Sequence, residues 1–187
     1  DKWDYSSSTN QADQVPYPEY QGTFRSDSLK NAAESFYEGR IEKFWDDIID
    51  DPGRQNLNYF NTGPQSFPFS YFIDMGRSIQ ASRIKYWQKL SDRYGGEYVA
   101  RFEIWISDEP NPAKGIFDWE YVGTYTIVKP SDEVVAKNEA FNGHEFILYP
   151  EKPQYTKPFR YLRFKATRSA DNRNVGVGSE ITVYGIE

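Results

Sequence analysis

The chain contains no cysteine, a single histidine (His144) and a single methionine (Met75). Without a thiol there is no cysteine nucleophile, disulfide, thiolate zinc site or iron–sulfur centre. With one histidine no site can use two, and any Ser-His-Asp triad would have to recruit His144. Long apolar runs are missing as well: no stretch of about 18 apolar residues exists to form a membrane-crossing helix. The opening DKWDYSSSTN has neither the basic nor the apolar region of a leader peptide. The lack of cysteine leaves the compartment open. Basic clusters are absent too. With 22 Lys+Arg against 28 Asp+Glu, a net charge of −6, the composition argues against nucleic acid and against an electrostatic hold on anionic lipid.

What the chain has is aromatic rings: 5 Trp, 15 Tyr and 13 Phe in 187 residues. That is the length of one ordinary domain, and the rings are enough to fill its core. Residues 1–28, with SSSTNQ and the pair Pro16 and Pro18, read as an N-terminal arm; residues 29–187 read as the domain. Leu29, Ala32, Ala33 and Phe36 share one helical face ahead of Gly39. Ile41, Phe44, Trp45 and Ile48 share another, with acidic residues opposite, up to the stop at Asp51-Pro52-Gly53.

From there the pattern changes to strands. FPFSYFIDMG ends at Gly76, and IQASRIKYW sets Arg83, Lys85 and Trp87 against Ile84 and Tyr86. VARFEIWIS alternates Arg101, Glu103 and Trp105 with Phe102, Ile104 and Ile106. WEYVGTYTIV, HEFILYP, FRYLRFKAT and EITVYGI follow. About seven short strands joined by Pro, Gly, Asn and Asp indicate an antiparallel sandwich or barrel. Between them, residues 51–66, 89–97 and 169–178 mix Asn, Arg and Gly with aromatics, as recognition loops on a rigid scaffold do.

The order of segments resembles the discoidin domains, also called coagulation factor five/eight C-type domains. Those share the galactose-binding-like jelly-roll β-sandwich with family 32 carbohydrate-binding modules. Glu38-Gly39 through Phe44-Trp45 matches the family's Asp-Gly-x-x-x-Thr-x-Trp, and Phe72 to Gly76 its aromatic-x-Asp-Leu-Gly. Phe102 to Asp108 matches the strand ending in Ser-x-Asp; Trp119 and Val122-Gly123 follow it. Phe159 to Phe164 matches Arg-Tyr-hydrophobic-Arg, and Ser179 to Gly185 the closing Glu-hydrophobic-x-hydrophobic-Tyr-Gly. The set covers about residues 29–187. It looks most like discoidin-like domains at the C-terminal end of Bacteroides-type surface glycan-uptake proteins. The resemblance implies an all-β jelly-roll sandwich with one or two short N-terminal helices. It implies an extracytoplasmic setting, at the cell surface, outer membrane or periplasm, and a monomer that works beside other domains or subunits of a glycan-uptake complex. In many members a calcium ion sits near the helix–strand junction. Here Glu38 and Glu180 match its carboxylates, but Lys43 stands in place of the family's Thr. An ammonium beside the ion repels it, so the reading favours Lys43 paired with Glu38 and Glu180, with a structural calcium as the alternative.

For recognition, the three loops cluster at one end of the sandwich in the resemblance. Tyr59, Phe60 and Tyr94 would offer ring faces to the C–H face of a sugar. Arg54, Asn58, Asn61, Arg93, Asn172, Arg173 and Asn174 would supply the planar donors and acceptors its hydroxyls need. Most strand aromatics, Trp45, Phe69, Phe72, Phe102, Tyr161 and Phe164 among them, read as core. Asp46, Asp47, Asp50 and Asp51 could suggest a glycosidase pair, yet they read as the solvated face of a helix. His144, in a Gly-His-Glu turn, reads as a surface residue, and VGVGSE lacks the Lys-Ser/Thr of a phosphate loop. The expected function is therefore a non-catalytic glycan-binding module with no cofactor of its own. The alternative is a protein- or lipid-binding adhesion module using Leu57, Tyr59 and Phe60 as an apolar spike.

Overall fold

The computed structural model describes residues 44–45, 47–50, 58–62, 67–108, 110–111, 116–117, 119–149 and 155–186. Its strands are β1 (Phe60–Asn61), β2 (Phe69–Trp87), β3 (Val99–Ser107), β4 (Pro110–Asn111), β5 (Ile116–Phe117) and β6 (Glu120–Thr126). After the helix α1 (Glu133–Asn142) come β7 (His144–Ile147), β8 (Phe159–Ser169), β9 (Val177–Gly178) and β10 (Glu180–Ile186).

The expected antiparallel β-sandwich is present, and β2 organises it. Nineteen residues of extended chain reach about 60 Å, roughly three times an ordinary strand. One layer of a domain this size cannot hold that length. The strand therefore divides its partners, and its register with β8 shifts between Asp74 and Ile79. Near the shift, Arg77 and Ser78 are both exposed, so the two-residue alternation breaks. The first half of β2 pairs with β8, which pairs with β3, which pairs with β6. The second half lies between β10 and β7. What the sequence presents as two strands is one strand turning from the first sheet into the second. Where β10 closes on it, a bulge at Tyr184/Gly185 brings the backbones together. A Cβ on Gly185 would stand 2.1 Å from the Gln80 carbonyl oxygen.

Aromatic rings join the layers. Tyr86, from the second half of β2, stacks on Phe164 of β8 at 5.9 Å and lies 5.6 Å from Phe102 of β3. Phe146 of β7 meets Phe102 edge-on at 5.4 Å. Phe44, fully buried in a tight helical turn, contacts Phe60 at 4.8 Å, Phe164 at 5.0 Å and Tyr71 at 5.4 Å. Edge-to-face pairs of this kind add about 0.5–1.5 kcal/mol each to the apolar area they bury.

The first expected N-terminal helix lies outside the described residues, as do residues 41–43 and 46 of the second. The second does not reach residue 50: Asp47 takes φ 62°, residues 48–50 are irregular, and Ile48 is exposed while Phe44 and Trp45 are buried. The described helix comes late in the chain, where none was expected. Asp132 caps α1 by accepting from Val134 N (2.8 Å) and Val135 N (3.0 Å). Only Ala136 and Ala140 of α1 are buried. Among the described residues, no helix is long and apolar enough to cross a membrane.

Phe44→Ala is expected to cost about 3–5 kcal/mol in urea unfolding, because five rings lose their common neighbour. Ile48→Ala should stay within about 0.5 kcal/mol. A loss below about 1 kcal/mol for Phe44→Ala would contradict this packing.

Candidate functional site

Of the three loops expected to cluster, 89–97, 169–178 and the described part of the third, residues 58–62, meet at the end of the sandwich where β3 begins. The loop after β2 is fastened from below. Leu90 is fully buried, and Ser91 donates from N (2.8 Å) and Oγ (2.7 Å) to Asp50 Oδ2. Gln88, also fully buried, accepts from Tyr94 N through Oε1. That fixes the amide's direction, so its Nε2 faces His144 Nε2 at 3.0 Å and donates to it. The loop between β8 and β9 is joined to it by the backbone. Ala170 N donates to Tyr98 O, Asp171 N to Gly96 O and Val177 N to Glu97 O, at 3.0–3.1 Å. Arg173 Nη1 approaches Glu97 Oε1 at 3.6 Å. The third segment enters through β1, paired with β9, and through Ser179 Oγ, which donates to Asn58 O at 2.8 Å.

The expected residues separate at this point. Tyr59 and Phe60 are 3% and 0% exposed, and Asn58 is buried with its Nδ2 donating to Ile48 O. Pairing with β9 carries Phe60 inside, against Phe44. Lys89 Nζ lies 4.1 Å from the centroid of the Tyr59 ring. These three residues hold the loop from within and offer no exposed ring. Arg54 and Leu57 lie outside the described residues. Arg93 is exposed and Tyr94 half-buried at the loop tip, where Tyr94 has φ 56°. Asn172, Arg173 and Asn174 are exposed on the adjoining loop.

Arg93 and Tyr94 line a cleft of about 270 Å³ against residues the sequence did not single out: Ser91, Asp92, Lys129 and Glu133. Its far wall is the start of α1, so the helix that sequence periodicity missed supplies Glu133 and Ala136 to the site. Lys129 Nζ pairs with Glu133 Oε1 at 2.7 Å and lies 5.9 Å from the Tyr94 ring. Burial, with Glu139 and Tyr98 adding to it, pushes the Tyr94 hydroxyl up to about 12, so it stays protonated. The Gln88 amide offsets part of that rise, though among the described residues nothing meets the hydroxyl at hydrogen-bond geometry. Behind the loop, His144 is no surface histidine: burial pushes its pKa down to about 4. Gly143, at φ 80°, ends α1 directly against Trp87, where a Cβ would stand 2.4 Å from the indole.

Glu180 is buried, and its Oε2 accepts from Asp47 N at 3.1 Å, tying β10 to the segment after Phe44. Glu38 and Lys43 lie outside the described residues. Calcium takes six to eight oxygen ligands. Among the described residues no three Asp, Glu or His side chains converge to begin such a shell.

A family model described as a domain of unknown function, DUF5000, matches residues 45–185. The chain belongs to that family. Among solved structures, this DUF5000 chain is similar to a SusE-like protein, BT2857, at 22% identity and a TM-score of 0.67. The match covers 84% of this chain and 62% of that one, so the chain spans less than two thirds of that protein's length. It is similar to a family 32 carbohydrate-binding module of a family 31 glycoside hydrolase from Clostridium perfringens (18% identity, TM-score 0.54, 77% and 81% covered). A third similar structure is the family 32 module of Clostridium perfringens NanJ in complex with galactose (11% identity, TM-score 0.53, 77% and 83% covered). No curated protein matches the chain. At these identities the likeness establishes the fold: the DUF5000 sandwich is galactose-binding-like, as the resemblance implied.

The Gln88–His144 bond yields a pH prediction. Unfolded, the imidazole takes a proton near 6.5; folded, only near 4, because burial disfavours the charged ring. The unfolded chain therefore binds the extra proton between those values. This contribution to stability is complete above pH 6.5 and is lost as pH falls toward 4. Melting temperatures from pH 7 to pH 4 should fall more steeply for the wild type than for His144→Gln. Identical slopes would contradict the assignment.

Proposed function

We propose that this domain is a non-catalytic carbohydrate-binding module of a bacterial surface glycan-utilisation protein. It would hold glycan at the loop end so that a partner enzyme or transporter meets it at raised local concentration. The observation that carries this reading is the cleft at the tip of the Ser91–Tyr94 loop. It sets Arg93, Lys129, Ser91, Asp92 and Glu133, a balanced set of donors and acceptors, beside the Tyr94 ring. A sugar needs both hydrogen-bonding senses and an apolar face, and it needs them rigidly placed. The similar modules from Clostridium perfringens, one of them holding galactose, support a carbohydrate ligand. The SusE-like protein supports the surface setting.

Burial of Tyr59 and Phe60 takes from the protein- or lipid-binding reading both rings of its Leu57-Tyr59-Phe60 spike. A glycosidase reading fares no better. Asp50 already accepts two hydrogen bonds from Ser91 and is fully buried, and Asp47 takes part through its backbone. Where many discoidin domains hold calcium, the proposed arrangement is Lys43 paired with Glu38 and Glu180. Added calcium should then leave the melting temperature unchanged, and a rise of several degrees that a chelator reverses would restore the ion.

A glycan array probed with the full chain, galactose-terminated glycans included, should show saturable binding. Arg93→Ala and Tyr94→Ala should each weaken it by about tenfold or more, roughly 1.4 kcal/mol, with the melting temperature kept. No binding across the array, or binding indifferent to both substitutions, would overturn the proposal.

A further inference from the structure

We propose a second site, for a neutral sugar, at the opposite end of the sandwich. There β3 ends, β6 begins and β8 begins, and the three strand ends enclose a cavity of about 440 Å³. That size falls in the range of small-ligand sites. Ile106 and Phe159, both buried, form its floor, and the exposed Pro158 ring stands at its edge. The loop-end residues that accompany the first cleft contribute nothing here. Val99 and Ser107 mark the two ends of β3, about 25 Å apart.

Ser107 points to a ligand. The residue is 3% exposed and lines the cavity, yet among the described residues its Oγ has no hydrogen-bond partner. A buried hydroxyl without a partner is a standing cost in the folded state, and structures rarely keep one without a use for it. Around it the cavity sets two carboxylates and one ammonium. Asp108 is exposed and accepts a long bond, 3.4 Å, from Ser78 Oγ. Glu120 Oε2 holds Lys157 Nζ at 3.0 Å.

This combination selects the chemical class of the ligand. An anion would face Asp108 and Glu120; a cation would face the ammonium already bound to Glu120. A neutral polyol meets neither objection. Each sugar hydroxyl both donates and accepts, so it can donate to Asp108 or Glu120 and accept from Lys157, while Ser107 does either. Pro158 gives the ring's C–H face an apolar support. The choice of a sugar among neutral polyols rests on the carbohydrate-binding reading of the loop end. A module with a site at each end would bridge two glycan chains or two arms of one.

The test is a titration of the ¹⁵N-labelled full chain with galactose, glucose, mannose and N-acetylgalactosamine in separate experiments, followed by amide shifts. The proposal expects two independently saturating sets, one on Ser91–Tyr94 and one on Ser107, Asp108, Glu120 and Lys157. Asp108→Asn and Ser107→Ala should weaken the second set at least tenfold and leave the first unchanged. Because Ser107→Ala removes an unpartnered hydroxyl, its melting temperature should hold or rise; Asp108→Asn, at an exposed position, carries the test if it does not. Shifts confined to the loop end overturn the second site and leave the loop-end reading standing. Shifts confined to the far end support the second site and overturn the loop end for these sugars. No far-end shift with any of the four, or a far-end set indifferent to Asp108→Asn, overturns the proposal.

Discussion

The turn of β2 from one sheet into the other is the constraint on which the rest of the molecule depends. One strand pairs with β8 through its first half and with β10 and β7 through its second, so the two layers cannot separate without breaking it. The turn also aims Tyr86 at Phe164 and Phe102 and closes the core with stacked rings. Phe44 fills the remaining gap between Phe60, Tyr71 and Phe164. The high aromatic content is thus mainly a requirement of the fold, and rings left over for recognition are few.

That same strand delivers the functional end. One residue past Trp87, Gln88 enters the core and bonds both the next loop, at Tyr94, and the start of β7, at His144. A side-chain amide with its oxygen and nitrogen both engaged has one orientation, and a neutral His144 is part of that arrangement. Beneath the loop, Asp50 holds Ser91 by two bonds; beside it, the β8–β9 loop is joined through Gly96, Glu97 and Tyr98. The cleft at the tip is therefore an extension of the core, and the ordering cost a flexible loop would meet on binding sugar is largely met during folding.

How much of this was legible in the sequence follows from how each element shows itself. VARFEIWIS alternates cleanly because one face of it is buried, whereas EITVYGI becomes a strand buried on both faces; β3 and β10 follow those segments residue for residue. β2 reads as two strands because Arg77 and Ser78 break the alternation at the corner; the pattern records the bend but not the continuity. α1 escapes a periodicity search because it buries only Ala136 and Ala140 and turns Val134, Val135 and Phe141 to solvent. Its capping residues, Asp132 and Gly143, were the readable signal. Tyr59 and Phe60 were misjudged because their Asn-rich surroundings look like an exposed turn, whereas pairing with Val177 and Gly178 draws the segment inward. Arg93 and Tyr94 were legible from loop composition, but Lys129 and Glu133 came into view only with α1. The unpartnered hydroxyl of Ser107 has no trace in sequence at all.

The DUF5000 domain is then a cross-braced aromatic sandwich whose loops are fixed by the core they extend. Native-state hydrogen exchange tests that claim most directly. The amides of Ser91, Tyr94, Asp171 and Val177 donate to Asp50, Gln88, Gly96 and Glu97. If the loop end is part of the core, they exchange nearly as slowly as those of β3 and β8 and open with the global unfolding. Exchange at the rate of an unstructured chain, with β3 and β8 still protected, would contradict it.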